Sequence, residues 1–170
     1  MTRPRQSAPA SDPQVRRLLE EHSAWEHVGY MLWHATLRWQ RELAAALRPL
    51  GLTHAQFHVL CSTWWLQRQG GDPTQKELAD HSGLEAMTIS KVARGLEQRG
   101  LIRRVSDPND ARALRLSLTT LGLAKAESAI ITVDELENEF LIARAGDRSK
   151  FLGSLRRIAG RDARGNSLDP

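Results

Sequence analysis

Residues 74–118 place two short amphipathic segments in series, end the second with a glycine, and follow it with a basic hairpin. Few folds accommodate that order. The first segment opens at Thr74, where Thr74-Gln75-Lys76-Glu77 is a Thr-x-x-Glu capping box, a hydroxyl and a carboxylate each satisfying a free N–H at a helix start. Leu78 and Ala79 supply its buried side, and Ser82-Gly83-Leu84 makes the turn into the next helix, with Gly83 suited to the left-handed backbone of a tight inter-helix turn. From Glu85 the second segment turns Met87, Ile89, Val92 and Leu96 inward, and presents Thr88, Ser90, Lys91 and Arg94 on a polar, partly cationic face. Gly100 is its predicted C-cap. Leu101-Ile102-Arg103-Arg104-Val105 then reads as a strand, Ser106-Asp107-Pro108-Asn109-Asp110 as a turn, and Arg115-Leu116-Ser117-Leu118 as a half-buried return strand.

The order is that of a winged helix-turn-helix, and the chemistry of its outer face suits DNA. Cations meet phosphates or guanine edges, and short hydroxyls let a helix sink into the major groove. Thr88, Ser90, Lys91 and Arg94 are the predicted contacts of the second helix, with Thr74, Gln75 and Lys76 at the start of the first. The wing is Asp107–Arg112. Arg112 suits a narrow minor groove, where negative potential is enhanced. Asp110, an acid in a DNA-facing loop, is expected to orient Arg112 through a bidentate pair.

From Leu52 to Gly122 the chain resembles the MarR family of bacterial transcriptional regulators. The resemblance rests on Leu96-Glu97-Gln98-Arg99-Gly100-Leu101-Ile102, on Asp107-Pro108-Asn109-Asp110-Ala111-Arg112, and on Leu118-Thr119 followed by Gly122, in that order and spacing. Element order extends it over residues 28–158. Ser90-Lys91 stands where members often carry Thr-Arg, and Ala111 where a second Arg is common. The resemblance implies a dimer paired through its first and last helices. It also implies a small effector, such as a phenolic anion, bound between the first two helices, the long dimer helix and the DNA-binding lobe.

The chain has 170 residues, enough for one domain or one compact domain with appended helices. Net charge is +4 and the pI about 9.8, which permits nucleic-acid binding. Its distribution says more. Leu84–Leu118 holds seven Lys and Arg against four Asp and Glu, while Leu121–Leu141 holds one Lys against five acids. The basic stretch coincides with the predicted helix and wing. Nothing approaches the roughly 18 uninterrupted apolar residues of a membrane span. Met1–Pro13 lacks the apolar core of a secretory signal. One Cys permits no internal disulfide, and a cytoplasmic location is expected. There is no Gly-rich phosphate loop, no Gly-x-Ser-x-Gly and no Cys-x-x-Cys, so enzymatic chemistry has poor material and no cofactor is indicated.

The fold expected is therefore mainly α with a small β-wing. Residues 1–14 form a disordered arm, 15–50 an N-terminal helical region for dimerisation, 51–118 the winged helix-turn-helix, 119–160 the C-terminal dimerisation helices, and 161–170 a disordered tail. Val28, Leu32, Ala35, Trp39, Leu43 and Leu47 make one stripe, with a break near Ser23 before it. Thr53-His54-Ala55-Gln56 is a second capping box, opening a helix to about Arg68 with Phe57, Leu60, Cys61 and Trp64 on one side. Thr119 caps a long helix over Leu121–Arg144 whose Ile130, Val133, Leu136, Phe140 and Leu141 form a seam. Phe151, Leu152, Leu155 and Ile158 make a last amphipathic helix. The apolar surface at both ends exceeds what a small core covers, and a homodimer buries it.

Trp33, His58 and Trp64 are pocket candidates, against the plainer reading of helical Trp as core packing. Cys61 reads as an inert core thiol rather than a redox sensor, lacking a cationic neighbour. His54, His58 and Cys61 share a helix face, as zinc ligands can, yet no metal site is expected. The reading is a dimeric regulator that binds a pseudo-palindromic duplex, a repressor modulated by a small ligand. The alternatives are an architectural DNA-binding protein without effector, and a Cys61-based redox or metal sensor.

Overall fold

The computed structural model describes residues 12, 13, 15, 17, 24–108, 110 and 113–162. Most of the predicted arm and tail, the break near Ser23, and Asn109, Ala111 and Arg112 lie outside them. Two compact units divide the chain at Gln40 and Arg41, within helix α1 (Val28–Leu47).

In the first unit a 3-10 turn, Ala24–Glu26, precedes α1. The rings of Trp25, Tyr30 and His34 gather there, with centroids 4.5–5.3 Å apart. Val28, Met31, Leu32 and Trp33 are exposed. The predicted stripe is thus uncovered at its start, while its last members, Leu43 and Leu47, are fully buried in the second unit.

The second unit is built around α2 (His54–Gly70), whose N-cap Thr53 and N3 Gln56 form the predicted reciprocal box. This helix is buried on more sides than one stripe allows. Phe57 and Leu60 face one way, and Val59, Ser62 and Thr63 are also enclosed. The Thr63 hydroxyl is satisfied by the Val59 carbonyl at 2.7 Å. Helices α3 (Gln75–Ser82) and α4 (Ala86–Gln98) pack against it and each other, burying Leu78, Ile89, Ala93 and Leu96. Between them Gly83 takes φ 71°. Beyond α4, Gly100 N–H bonds the Glu97 carbonyl at 2.8 Å and Leu101 N–H the Leu96 carbonyl at 3.0 Å, a Schellman ending with Gly100 at φ 67°.

Strands β1 (Ile102–Ser106) and β2 (Leu114–Leu118) pair antiparallel, Ile102 opposite Leu118 and Ser106 opposite Leu114. A bridge between Thr74 and Arg115 joins β2 to the segment before α3. Thr119 then caps α5 (Thr120–Leu136), accepting the Gly122 N–H at 3.0 Å while its own hydroxyl reaches the Gly100 carbonyl at 2.7 Å. Small residues, Gly122, Ala126 and Ala129, let α5 lie close to its neighbours, α2 among them.

The long helix predicted through Arg144 is not continuous. It widens into a π-helical stretch at Glu137–Ile142 before Ala143–Ala145, and α6 (Arg148–Ile158) follows with Asp147 as N-cap. Of its predicted seam only Val133 is buried, and Leu121, Leu123 and Ile131 add exposed apolar surface. Arg161, placed in the tail by sequence, is bound to the end of α6 through its N–H and the Arg156 carbonyl at 2.9 Å.

Candidate nucleic-acid interface

Helix α3 starts where its sequence predicts. Thr74 Oγ1 accepts the Glu77 N–H at 3.2 Å, and Glu77 Oε2 accepts the Thr74 N–H at 2.7 Å and its hydroxyl at 2.9 Å. These bonds, the backbone one foremost, hold the Glu77 carboxyl below its ordinary range. The Thr74 hydroxyl is therefore committed to the cap. Gln75 is half-buried and Lys76 exposed beside it.

Helix α4 carries the exposed cations Lys91 and Arg94, with Thr88 and Ser90 half-buried at the flanks. Arg94 Nε lies along the helix, 3.3 Å from the Ser90 carbonyl. One prediction fails. Met87, expected inward, is 83% exposed. At about 100° per residue it stands roughly 200° from buried Ile89, and four and seven residues before Lys91 and Arg94, so it joins their outer row. Ala93 takes the inward place instead.

The wing is fastened to the helices by ion pairs that the sequence reading missed. Glu97, in the last turn of α4, receives both Nε (2.7 Å) and Nη2 of Arg104 on β1, and the Arg104 N–H at 3.3 Å. The Arg104 bonds hold the Glu97 carboxyl below its ordinary range. On β2, Arg115 Nε meets Asp107 Oδ2 at 2.6 Å and its Nη1 donates to the Asp72 carbonyl at 2.6 Å. Leu116 N–H bonds the Pro73 carbonyl at 2.8 Å. Arg99 reaches back to Gln56 Oε1 at 3.2 Å. The local surplus of cations is thus divided: Arg99, Arg104 and Arg115 bind the lobe together, while Lys91, Arg94 and Arg103 face outward. Asp110 is described and accepts the Ala113 N–H through its carbonyl at 2.9 Å, but its predicted partner Arg112 lies outside the described residues.

Of the candidate ligand residues, His58 and Trp64 lie on α2 and Trp33 on α1. Trp64 lines an open crevice of about 460 Å³ with Gln67, Arg68, Thr119, Leu123 and Glu127, and the Arg68 guanidinium sits 4.9 Å over its ring. His58 is not on that crevice; its ring lies tilted against His54 and edge-on to Phe57, with centroids 4.8 and 5.3 Å away. Trp33 belongs to the first unit, where it is exposed. Burial pushes the Cys61 thiol up to about 12. Among the described residues no group of three or more His, Cys, Asp or Glu could hold a metal ion. No helix among them is long and apolar enough to cross a membrane.

Known proteins share this arrangement. The MarR family model matches residues 52–114, from the start of α2 into the wing. The HTH-type transcriptional regulator YdcH of Bacillus subtilis (strain 168) is 38% identical over 130 residues, covering 76% of this chain and 88% of the relative. HTH-type transcriptional repressor Rv2887 of Mycobacterium tuberculosis is 33% identical, over 60% of this chain and 70% of the relative. Among solved structures, BpsR of Bordetella bronchiseptica, whose DNA binding is regulated by 6-hydroxynicotinic acid, superimposes with a TM-score of 0.68 at 25% identity, over 79% of this chain and 99% of its own. By this likeness, and by the helix-turn-helix and fastened wing that underlie it, the chain belongs to the MarR family of HTH-type transcriptional regulators.

Proposed function

We propose that the chain acts as a homodimer that binds a pseudo-palindromic duplex, represses transcription there, and is released by a small ligand. The observation that carries the DNA reading is the outer row of α4, with Lys91 and Arg94 exposed beside a wing locked by Glu97–Arg104 and Asp107–Arg115. Rigid placement matters because base edges are read only when the helix is held in register with the backbone contacts. Repression follows the Mycobacterium tuberculosis relative, and a ligand-regulated affinity follows BpsR. The dimer rests on the apolar residues left exposed on α1, α5 and α6.

The crevice beside Trp64 is the place for the ligand. It has an aromatic wall, one cation and one carboxylate, and it borders Leu118 and Thr119, where β2 passes into α5. A molecule lodged there would press on the joint that connects wing to long helix. This supports a small aromatic ligand as effector.

The test is selection of duplexes from a random library by the purified protein, with sedimentation at micromolar concentration. The expected result is an enriched sequence with half-sites about one helical turn apart, bound by a dimer. Arg94→Ala should then cost on the order of 1–3 kcal/mol, concentrated at particular base pairs. A uniform loss on selected and random DNA would reassign Arg94 to phosphate. A monomer with full DNA affinity would remove the dimer.

A further inference from the structure

Met87 is the one feature of α4 that the DNA-binding reading leaves unexplained. It is 83% exposed, in the first turn of the helix, and it shares its face with two cations. An apolar protein surface closing over Met87 would also have to desolvate Lys91 and Arg94, four and seven residues along the same row, at a cost that unpaired charges do not repay. A surface that welcomes cations and an apolar tip together is the major groove. Its walls are phosphates, and its floor carries a single apolar group, the 5-methyl of thymine. In helix-turn-helix proteins the N-terminal residues of the second helix are the ones that reach base edges. Methionine suits such a contact: the chain is unbranched and long, and its thioether is polarizable and adapts its rotamer to a methyl.

We propose that Met87 is a specificity residue that reads the 5-methyl group of one thymine in each half-site. The proposal rests on the DNA-binding reading above and deepens it. Lys91 and Arg94 supply attraction to phosphates and guanines, and Met87 favours thymine at one position, where the 5-methyl is the apolar group that its side chain can cover.

The experiment uses the duplex selected by the wild-type protein, with each thymine replaced singly by deoxyuridine, which removes the methyl and leaves base pairing intact. Wild type should lose affinity at one thymine per half-site, roughly fourfold for each methyl no longer buried. Met87→Ala should bind the parent duplex more weakly by a similar factor and show no further loss at that thymine. Met87→Leu should retain the discrimination. Because Met87 is exposed, both variants should keep the wild-type circular dichroism and unfolding midpoint. If no thymine responds to deoxyuridine, or if Met87→Ala keeps the same response at every position, the assignment of Met87 is wrong while the DNA-binding reading stands. A library that yields no enriched sequence overturns that reading, and this proposal with it.

Discussion

Arg115 fastens the wing by binding Asp107, Nε to Oδ2 at 2.6 Å, with the carboxylate almost entirely buried and the guanidinium about one-third exposed. The same guanidinium holds the Asp72 carbonyl, so one side chain joins the hairpin to the segment that leads into α3. Breaking a buried pair by removing one member leaves the other charge poorly compensated, at roughly 3–5 kcal/mol for full burial. Here the exposed guanidinium lowers that. Arg115→Met should cost about 2–3 kcal/mol in urea unfolding, and Asp107→Asn in that background should recover part of the loss. A cost within about 0.5 kcal/mol would show that the pair adds nothing beyond surface charge.

Gly122 touches Leu101 more closely than any other residue type could. A Cβ at position 122 would sit 1.8 Å from the Leu101 carbonyl oxygen and 2.8 Å from its carbon. Neither side can yield cheaply, since that oxygen accepts the Thr119 N–H at 3.1 Å and Leu101 N–H ends α4. Gly122→Ala should therefore destabilise by more than about 3 kcal/mol, beyond the usual cost of overpacking. A midpoint near that of wild type would mean that α5 seats more loosely than its approach to Leu101 indicates.

What could be read from residues alone was what is decided within a few residues. The caps at Thr53, Thr74 and Thr119 are four-residue patterns, and each forms as its sequence predicts. Met87 was misplaced because a run of apolar residues at a helix start does not say which member turns out; only burial of Ala93 and Ile89 settles the face. Glu97–Arg104 and Asp107–Arg115 span seven and eight residues across turns, and their choice of partner depends on hairpin register and on how α4 meets β1. The widened turn at Glu137–Ile142 has no signature in helical periodicity. The crevice at Trp64 draws residues from α2, β2 and α5, a grouping that only tertiary packing makes, and His58 on the same helix does not line it.

Cys61 should be chemically silent in the folded protein. Its thiol is pushed up to about 12 by burial, so the thiolate at pH 8 is on the order of one part in ten thousand. A disulfide reagent at that pH should label the native chain far more slowly than the urea-unfolded chain, and Cys61→Ser should respond to peroxide as the wild type does, because any change in DNA affinity then comes from exposed methionine rather than from the thiol. Rapid labelling of native protein would restore the redox-sensor alternative.

Acidification should weaken the fold before any carboxylate titrates in the unfolded chain. His54, His58 and His81 are all held below the ordinary imidazole value, each foremost by burial, with His54 adding to the effect at His58 and Arg161 at His81. In the unfolded chain they titrate near about 6.5. Below that pH the unfolded state binds protons that the folded state resists, so stability is intact above it and is lost as pH falls toward the folded values. His81 matters structurally as well, since its Nδ1 lies 3.1 Å from the buried Ser62 hydroxyl. Glu137, whose carboxyl burial raises, works in the opposite direction, but it is one group against three. Glu77 and Glu97, both held low, add their own loss only as pH falls through and below about 4.5. The urea midpoint should therefore drop steadily between about pH 7.5 and about pH 5.5. Replacing the three histidines by glutamine should flatten the slope. A midpoint that stays level or rises over that interval in the unmodified chain would mean that these imidazoles titrate normally, and hence that water reaches them in the folded protein.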